Sequence, residues 1–201
     1  MANKFAPKGF HVSRHLSGGT AGRMNDYKVQ DGHAEDLYTG DLVKSDGNGG
    51  VQLAGAGEAI LGIFQGLKFV DPNGEVRYGA SWTAGQNILA GSRVYASVID
   101  DPDVLLVAQV NGSLTEAEIG QLVDVDTGVA GSSVYGRSGQ AVTPAGGAEN
   151  QFRVRQIMYF PERNDDGLTA LTEEGTSAWV ELEIAHHELR VAQVAPASTE
   201  V

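Results

Sequence analysis

The chain has no cysteine, which excludes disulfide bonds, thiolate metal ligands and a cysteine nucleophile. It also lacks any run close to the roughly 18 apolar residues of a membrane span. Residues 1–10 lack the apolar block of a signal peptide. We therefore expect no membrane partner and synthesis in a cytoplasm. Charged residues are scarce at 20% while 41% are hydrophobic, so the composition excludes a disordered chain.

Basic residues are few as well. The 14 Lys and Arg residues stand against 26 Asp and Glu residues, which gives a formal net charge of −12. Because phosphate contacts need clustered cations, this balance argues against a nucleic-acid partner. The charge is unevenly placed: residues 1–33 carry a net +3 and the remaining residues a net −15.

Long helical periods are also missing, and glycine-rich turns and short alternating runs stand in their place. Glycine makes up 27 of 201 residues, about twice its ordinary share. Asn48, Asn73 and Asn111 each precede a glycine, a pairing typical of tight turns. The runs between turns alternate or are rich in strand-forming residues: 59–64, 93–99, 104–110, 122–126, 152–160 and 179–184.

This pattern predicts an all-β fold. We expect an extended N-terminal arm over residues 1–34, a small β-barrel or sandwich core over 35–127, additional β-strands over 128–190 and a flexible tail over 191–201. Helix is expected only as one turn at Thr115–Ile119, where Thr115 and Glu118 match a capping box.

Two further turns are predicted from their residues. Asp71–Gly74 combines proline with Asn-Gly and should close a hairpin. Asp100–Asp103 contains Asp-Pro and should return the chain, so that 93–99 and 104–110 run as consecutive strands.

Residues 1–33 combine basic side chains with widely spaced apolar ones and contain the pliable stretch 17–22. The body that follows is acidic, so docking on the same chain is the main rival interpretation. Because the segment has no continuous apolar face, we predict that it is extended and packs on a neighbouring subunit. The residues expected to contact that partner are Phe5, Phe10, Arg14, Leu16, Arg23, Met24 and Lys28.

Catalytic signatures are missing, which predicts a protein with no enzymatic activity and no cofactor. The His-Glu-x-x-His pattern of zinc hydrolases and the phosphate-binding glycine loop are both absent. Gly136–Gly139 has the wrong spacing for the elbow that presents a serine nucleophile. His186 and His187 are adjacent near the end of a predicted strand, so we expect one to point inward and one outward.

Two other groups of metal-binding residue types have simpler explanations. His11 and His15 have the spacing of a helical chelate, but the surrounding sequence forms helix poorly. Asp100, Asp101 and Asp103 are candidate ligands for a surface cation, although an Asp-Asp-Pro-Asp turn explains them. We therefore expect no metal site.

Several short motifs, taken in order, resemble the head-decoration or cement proteins of tailed bacteriophages. The resemblance covers roughly residues 36–160, with a weaker match towards the C-terminus. The motifs are Gly40-Asp41-Leu42-Val43, Ile60–Gly66, Asp71–Gly74, Trp82–Gly85, Asp101-Pro102, Val107–Val110, Ile119-Gly120 and Gly136–Gln140.

The resemblance implies a non-enzymatic virion protein, made in the host cytoplasm, that binds the outside of an icosahedral capsid and stabilises it. Its partner would be the major capsid protein, and self-association as a trimer is favoured. An adhesive or carbohydrate-binding β-module is the alternative. Trp82, Trp179 and the six tyrosines are candidates for a sugar platform, although core packing is the default explanation for aromatic residues on buried strands. A hydrolase whose pair of carboxylates cannot be picked from 26 acidic residues is a third interpretation.

Overall fold

The structure, a computed structural model, describes residues 4–19, 22–29, 33–144, 151–159, 161–163, 169–171 and 174–190. The strands of this part of the chain are β1 (His11–His15), β2 (Met24–Val29), β3 (Leu37–Tyr38), β4 (Leu42–Ser45), β5 (Gly50–Leu53), β6 (Gly62–Val70), β7 (Val76–Gly79), β8 (Ser81–Trp82), β9 (Val94–Ile99), β10 (Val104–Gln109), β11 (Ser113–Leu114), β12 (Leu122–Val123), β13 (Val125–Asp126), β14 (Ala141–Val142), β15 (Phe152–Met158), β16 (Pro161–Arg163), β17 (Thr169–Leu171), β18 (Gly175–Thr176) and β19 (Trp179–Ile184).

Helical structure in the described ranges consists of two 3-10 turns, Glu116–Glu118 and Glu188–Arg190. The first lies where the sequence predicts one helical turn, and the Glu118 carboxylate accepts a hydrogen bond from the Thr115 backbone N–H at 2.8 Å. Within these ranges, no helix has the length and apolar character needed to cross a membrane.

Five strands close a β-barrel in the order β4-β5-β2-β9-β6, and β6 pairs back with β4. The β2–β5 pairing is parallel, whereas the other pairings of the barrel are antiparallel. Strand β7 extends the barrel as a hairpin with β6. The barrel interior is filled by a cluster that includes Val29, Val43, Phe64 and Val98, each almost completely buried. The prediction of an all-β fold with a small barrel core is confirmed.

A second, antiparallel sheet in the order β1-β10-β19-β15-β12 packs against the outside of the barrel. Leu42 and Ile63 of the barrel belong to one apolar cluster with Leu106, Val154 and Leu182 of this sheet. Residues of β6 therefore point alternately into the barrel and onto the second sheet. Because both faces of β6 are buried at this point, the run Ala59–Phe64 is apolar without alternation.

The predicted hairpin at Asp71–Gly74 is confirmed, since it joins β6 to β7. The Asp71 carboxylate accepts hydrogen bonds from the backbone N–H groups of Asn73 and Glu75 at 2.9 and 3.0 Å. The predicted turn at Asp100–Asp103 is also present between consecutive strands, but these strands do not pair, because β9 lies in the barrel and β10 in the second sheet. Strand β9 lies between β2 and β6, and β10 lies between β1 and β19. Each of the two strands therefore pairs with strands from other parts of the chain.

The N-terminal segment is extended, as predicted, but it packs on its own body. Strand β1 forms an edge of the second sheet beside β10, and β2 is part of the barrel wall between β5 and β9. The prediction that this segment reaches away to a neighbouring subunit is therefore wrong for its described residues. The predicted tail 191–201 lies outside the part of the chain that the structure describes.

Candidate interaction surface

The seven predicted partner residues separate into three groups in the structure. Phe10 is completely buried, whereas Phe5, Leu16 and Met24 are exposed. Arg14 and Arg23 each form an ion pair with the same chain. Lys28 lines a cavity of about 560 Å³ beside Trp82 and Arg93. The predicted partner residues therefore do not form one surface, because Phe10 lies in the core and the two arginines pair within the chain, whereas Phe5, Leu16 and Met24 are exposed.

Arg14 fastens β1 to the second sheet through a buried carboxylate. The Arg14 Nε and Nη2 atoms donate to the two oxygens of Glu181 at 3.1 and 2.7 Å. The Ser13 hydroxyl donates to the same carboxylate at 2.7 Å. Burial raises the pKa of Glu181, but the hydrogen bonds from Arg14 and Ser13 outweigh burial and hold the pKa below its ordinary value. The carboxylate is 1% exposed, so it depends on these donors.

Arg23 fastens the start of β2 to the end of β9 in the same way. Its Nε donates to the Asp100 carboxylate at 2.9 Å, and Asn25 Nδ2 donates to that carboxylate at 2.9 Å. The Tyr27 hydroxyl also donates to Asp100. Burial and this bond raise the pKa of Tyr27 to about 12. Three donors from one segment therefore satisfy a carboxylate that is almost completely buried.

The first described residues are held by a buried glutamine that sequence reasoning missed. The Gln109 amide donates to the Lys4 and Ser177 carbonyl oxygens at 2.8 and 3.0 Å and accepts from the Ala6 N–H at 2.8 Å. All three bonds join residues far apart in the sequence, and a glutamine at a strand end carries no signal for such a role.

The candidate metal ligands belong to the junction between the two sheets. His11 and His15 lie at the two ends of β1, which separates them by about 13 Å of strand rise. His15 Nε2 lies 3.4 Å from an oxygen of Asp101. Three possible metal-ligand atoms, from His15, Asp101 and Asp103, lie close together here. However, Asp103 pairs with Arg190, and the Asp101 carboxylate accepts the backbone N–H of Asp103 at 3.0 Å. These bonds explain the cluster as a turn that joins the sheets.

The other catalytic candidates also have folding roles. His187 is buried and His186 is exposed, as expected for adjacent residues near a strand end. Ser138 is buried, and its hydroxyl accepts the Gln140 backbone N–H at 3.0 Å. Trp82 is 4% exposed and lies in the barrel core. Its ring face is therefore not available as a sugar platform.

Asp41 is a buried carboxyl group in the turn between β3 and β4. It accepts the Tyr38 backbone N–H at 2.7 Å and a hydrogen bond from Ser138. Burial raises the pKa of Asp41 to about 6, and these two bonds only partly offset it.

Ionisation of Asp41 should lower the free energy of unfolding as the pH rises. A carboxyl pKa of about 6 in the folded state, against 3.8 in the unfolded state, means that the folded state holds the proton more tightly. The associated stability, about 3 kcal/mol, is present below pH 3.8 and is lost as the pH rises through 6. We expect Asp41→Asn to remove this loss, as measured by urea unfolding between pH 4 and 7.5. Parallel pH profiles for the variant and the natural chain would contradict the assignment.

The motifs that carry the resemblance occupy positions that specify the barrel. Gly40 has φ +95°, a conformation that favours glycine. A Cβ atom on Gly62 would lie 2.1 Å from the Ile99 carbonyl oxygen, so only glycine fits between β6 and β9. The Gln140 side-chain oxygen accepts the Leu42 backbone N–H at 2.8 Å in a buried position.

Comparisons with protein-family models, with curated proteins and with solved structures find no match for this chain. Its candidate site is therefore defined by its own geometry.

Proposed function

We propose that this chain is a non-enzymatic virion protein that decorates the outside of an icosahedral bacteriophage capsid, where it bridges and stabilises major capsid subunits. The observation that carries the proposal is the order of the resembling motifs over residues 36–160. Three of those motifs contain residues with a structural role in or beside the barrel, namely Gly40, Gly62 and Gln140.

The physical role would be stabilisation by preferential binding. A ligand that binds the assembled shell and not its separate subunits shifts the equilibrium towards the shell. Many symmetric copies multiply a modest binding energy at each site. We further propose that the chain self-associates on the shell, because a small body binds a symmetric lattice by repeating one contact. That the assembly is a trimer is implied by the resemblance alone.

The test is a binding comparison between three forms of capsid protein. Purified chain is mixed with assembled shells from the same source, with disassembled capsid subunits and with shells of an unrelated phage, and each mixture is separated by gradient sedimentation. We expect saturable binding to the matching shells alone and a higher temperature of shell disruption. Equal binding to separate subunits, or no binding to matching shells, would overturn the proposal. Specific binding on a glycan array in place of shell binding would support the adhesive alternative.

A further inference from the structure

One motif of the sequence contains a side chain that the fold does not explain. In Gly136–Gln140, Gly136 has φ +64°, and a Cβ on Gly139 would lie 2.3 Å from a backbone oxygen. Ser138 and Gln140 are buried and accept hydrogen bonds from the backbone. Arg137 is the exception, since its side chain is exposed and forms no ion pair with any residue that the structure describes.

Arg137 lies at a cavity of about 320 Å³ that the N-terminal segment helps to form. The lining residues are Pro7, Lys8, Val129, Ala130, Ser132, Tyr135, Arg137, Ser138 and Gly139. This lining contains two cations and no carboxylate. Lys8, like Arg137, is exposed and has no ion pair among the described residues. Two positive charges without an ion-pair partner among the described residues therefore flank an apolar cavity on a chain whose net charge is −12.

The same two positive charges act on the neighbouring His11. Burial lowers the pKa of His11, and a hydrogen bond to the Lys8 backbone opposes burial. The charges of Arg137 and Lys8 then lower the pKa of His11 further, and no acidic group in the described part of the chain raises it.

The rim of the cavity is preorganised. The Ser132 N–H donates to the Arg137 carbonyl oxygen at 2.8 Å, and the Gly136 N–H donates to the Ser132 carbonyl oxygen at 2.8 Å. This closed loop projects Val134 and Tyr135, which are 84% and 77% exposed. A loop that is already ordered loses little conformational entropy when a partner binds.

We propose that the basic pocket, defined as Pro7, Lys8, Ala130, Tyr135 and Arg137, docks a polypeptide segment in which an apolar side chain is flanked by carboxylates. The apolar side chain enters the cavity beside Ala130 and Tyr135, and the flanking carboxylates pair with Lys8 and Arg137. The proposal does not depend on a role in a capsid, since the same chemistry would recognise an acidic segment of any protein.

The charge pattern favours an acidic peptide over a nucleic acid. A nucleic acid presents a long row of phosphates and needs several cations along its path, whereas the pocket offers two. The net charge of −12 also opposes an extended polyanion more than it opposes a short segment. The cavity also has the volume of a small ligand pocket, which suits one anchored side chain.

The test uses a fluorescein-labelled pentapeptide with a central leucine between two pairs of aspartates, with binding followed by fluorescence polarisation. Two control peptides replace the leucine with serine or the aspartates with lysines. We expect both controls to bind at least about ten-fold more weakly than the test peptide. Arg137→Glu and Lys8→Glu should each weaken binding of the test peptide by about ten-fold, since each turns an attraction into a repulsion. The matched control is Arg93→Glu, another exposed arginine that lies outside the basic pocket.

Thermal melting tests whether the variants fold, and unlabelled peptide and oligonucleotide compete for the basic pocket. Circular dichroism melting should be unchanged in the three charge variants, because all three side chains are exposed. Tyr135→Ala should weaken peptide binding without a change of net charge. Equal binding of the leucine and serine peptides, equal effects of Arg137→Glu and Arg93→Glu, or displacement of the peptide by a short single-stranded oligonucleotide at lower concentration than by unlabelled peptide would each overturn the proposal.

Discussion

Replacing Phe10 with alanine should lower the free energy of unfolding by about 3–5 kcal/mol. Phe10 is completely buried, and its ring stacks on Phe152 with the centroids 5.1 Å apart. Its removal leaves a cavity in the cluster shared by the barrel and the second sheet, so that dispersion contacts and apolar burial are both lost. For a chain of this size, we expect the melting temperature to fall by about 10 °C.

Phe5→Ala is the matched control, since Phe5 has the same side chain in the same segment but is 38% exposed. We expect its effect to lie within about 1 kcal/mol of zero. Urea unfolding followed by tryptophan fluorescence measures both variants. Small and equal effects would show that Phe10 is not a core residue and would restore the interpretation of an outward-reaching arm.

His187 should make a contribution to the free energy of unfolding that is lost at acid pH. The ring is 2% exposed, its Nδ1 accepts the Leu189 backbone N–H at 3.0 Å, and its Nε2 is buried with no hydrogen-bond partner in the described structure. Burial, with a smaller contribution from the charge of Arg190, lowers the pKa of His187 to about 4. Asp100 and Asp101 favour the proton, and Arg23 opposes it, but these influences are smaller.

The folded pKa of His187, about 4, is below its ordinary value of 6.5, so the unfolded state binds the proton more tightly. The corresponding stability, about 3 kcal/mol, is fully present above pH 6.5 and is lost as the pH falls through 4. His187→Gln should remove this loss, because glutamine does not titrate. The measurement is urea unfolding at half-unit steps from pH 7.5 to 4.

His186→Gln is the control for this experiment, because His186 is the exposed neighbour. Asp41 acts in the opposite direction over nearly the same range, so the natural chain should show a shallow profile that each variant makes steeper. The profile of Asp41→Asn should fall towards acid pH, and that of His187→Gln should rise. If His187→Gln and His186→Gln give the same profile, the assignment to His187 is wrong.

Local features of the fold could be predicted from the sequence, whereas strand partners could not. The Asp71–Gly74 hairpin is determined by proline, by Asn-Gly and by an aspartate that bonds its own turn. The turn at Asp100–Asp103 has equally clear residues but joins two different sheets. Alternation shows which face of a strand is buried and contains no information on which strand lies beside it.

The partners of the basic N-terminal residues could not be predicted from the sequence either. The basic character of residues 1–33 correctly indicates acidic partners for Arg14 and Arg23, but complementary charge does not show which chain supplies them. Glu181 lies 167 positions from Arg14, and Asp100 lies 77 positions from Arg23. The sequence marks Arg137 only as part of a motif, because its exposure and lack of an ion pair with the described residues are visible only in three dimensions.

The crossing between β9 and β10 has a consequence for synthesis on the ribosome. Barrel strands end at Ile99, so the barrel has all its strands before the second sheet does. Strand β10 can pair at once with β1, but its other neighbour, β19, ends at Ile184. At 5–20 residues per second, the ribosome takes roughly 4–15 s to add the intervening residues. Throughout that interval one edge of an apolar strand stays open, and a translational pause there prolongs the period in which nascent chains can pair with one another.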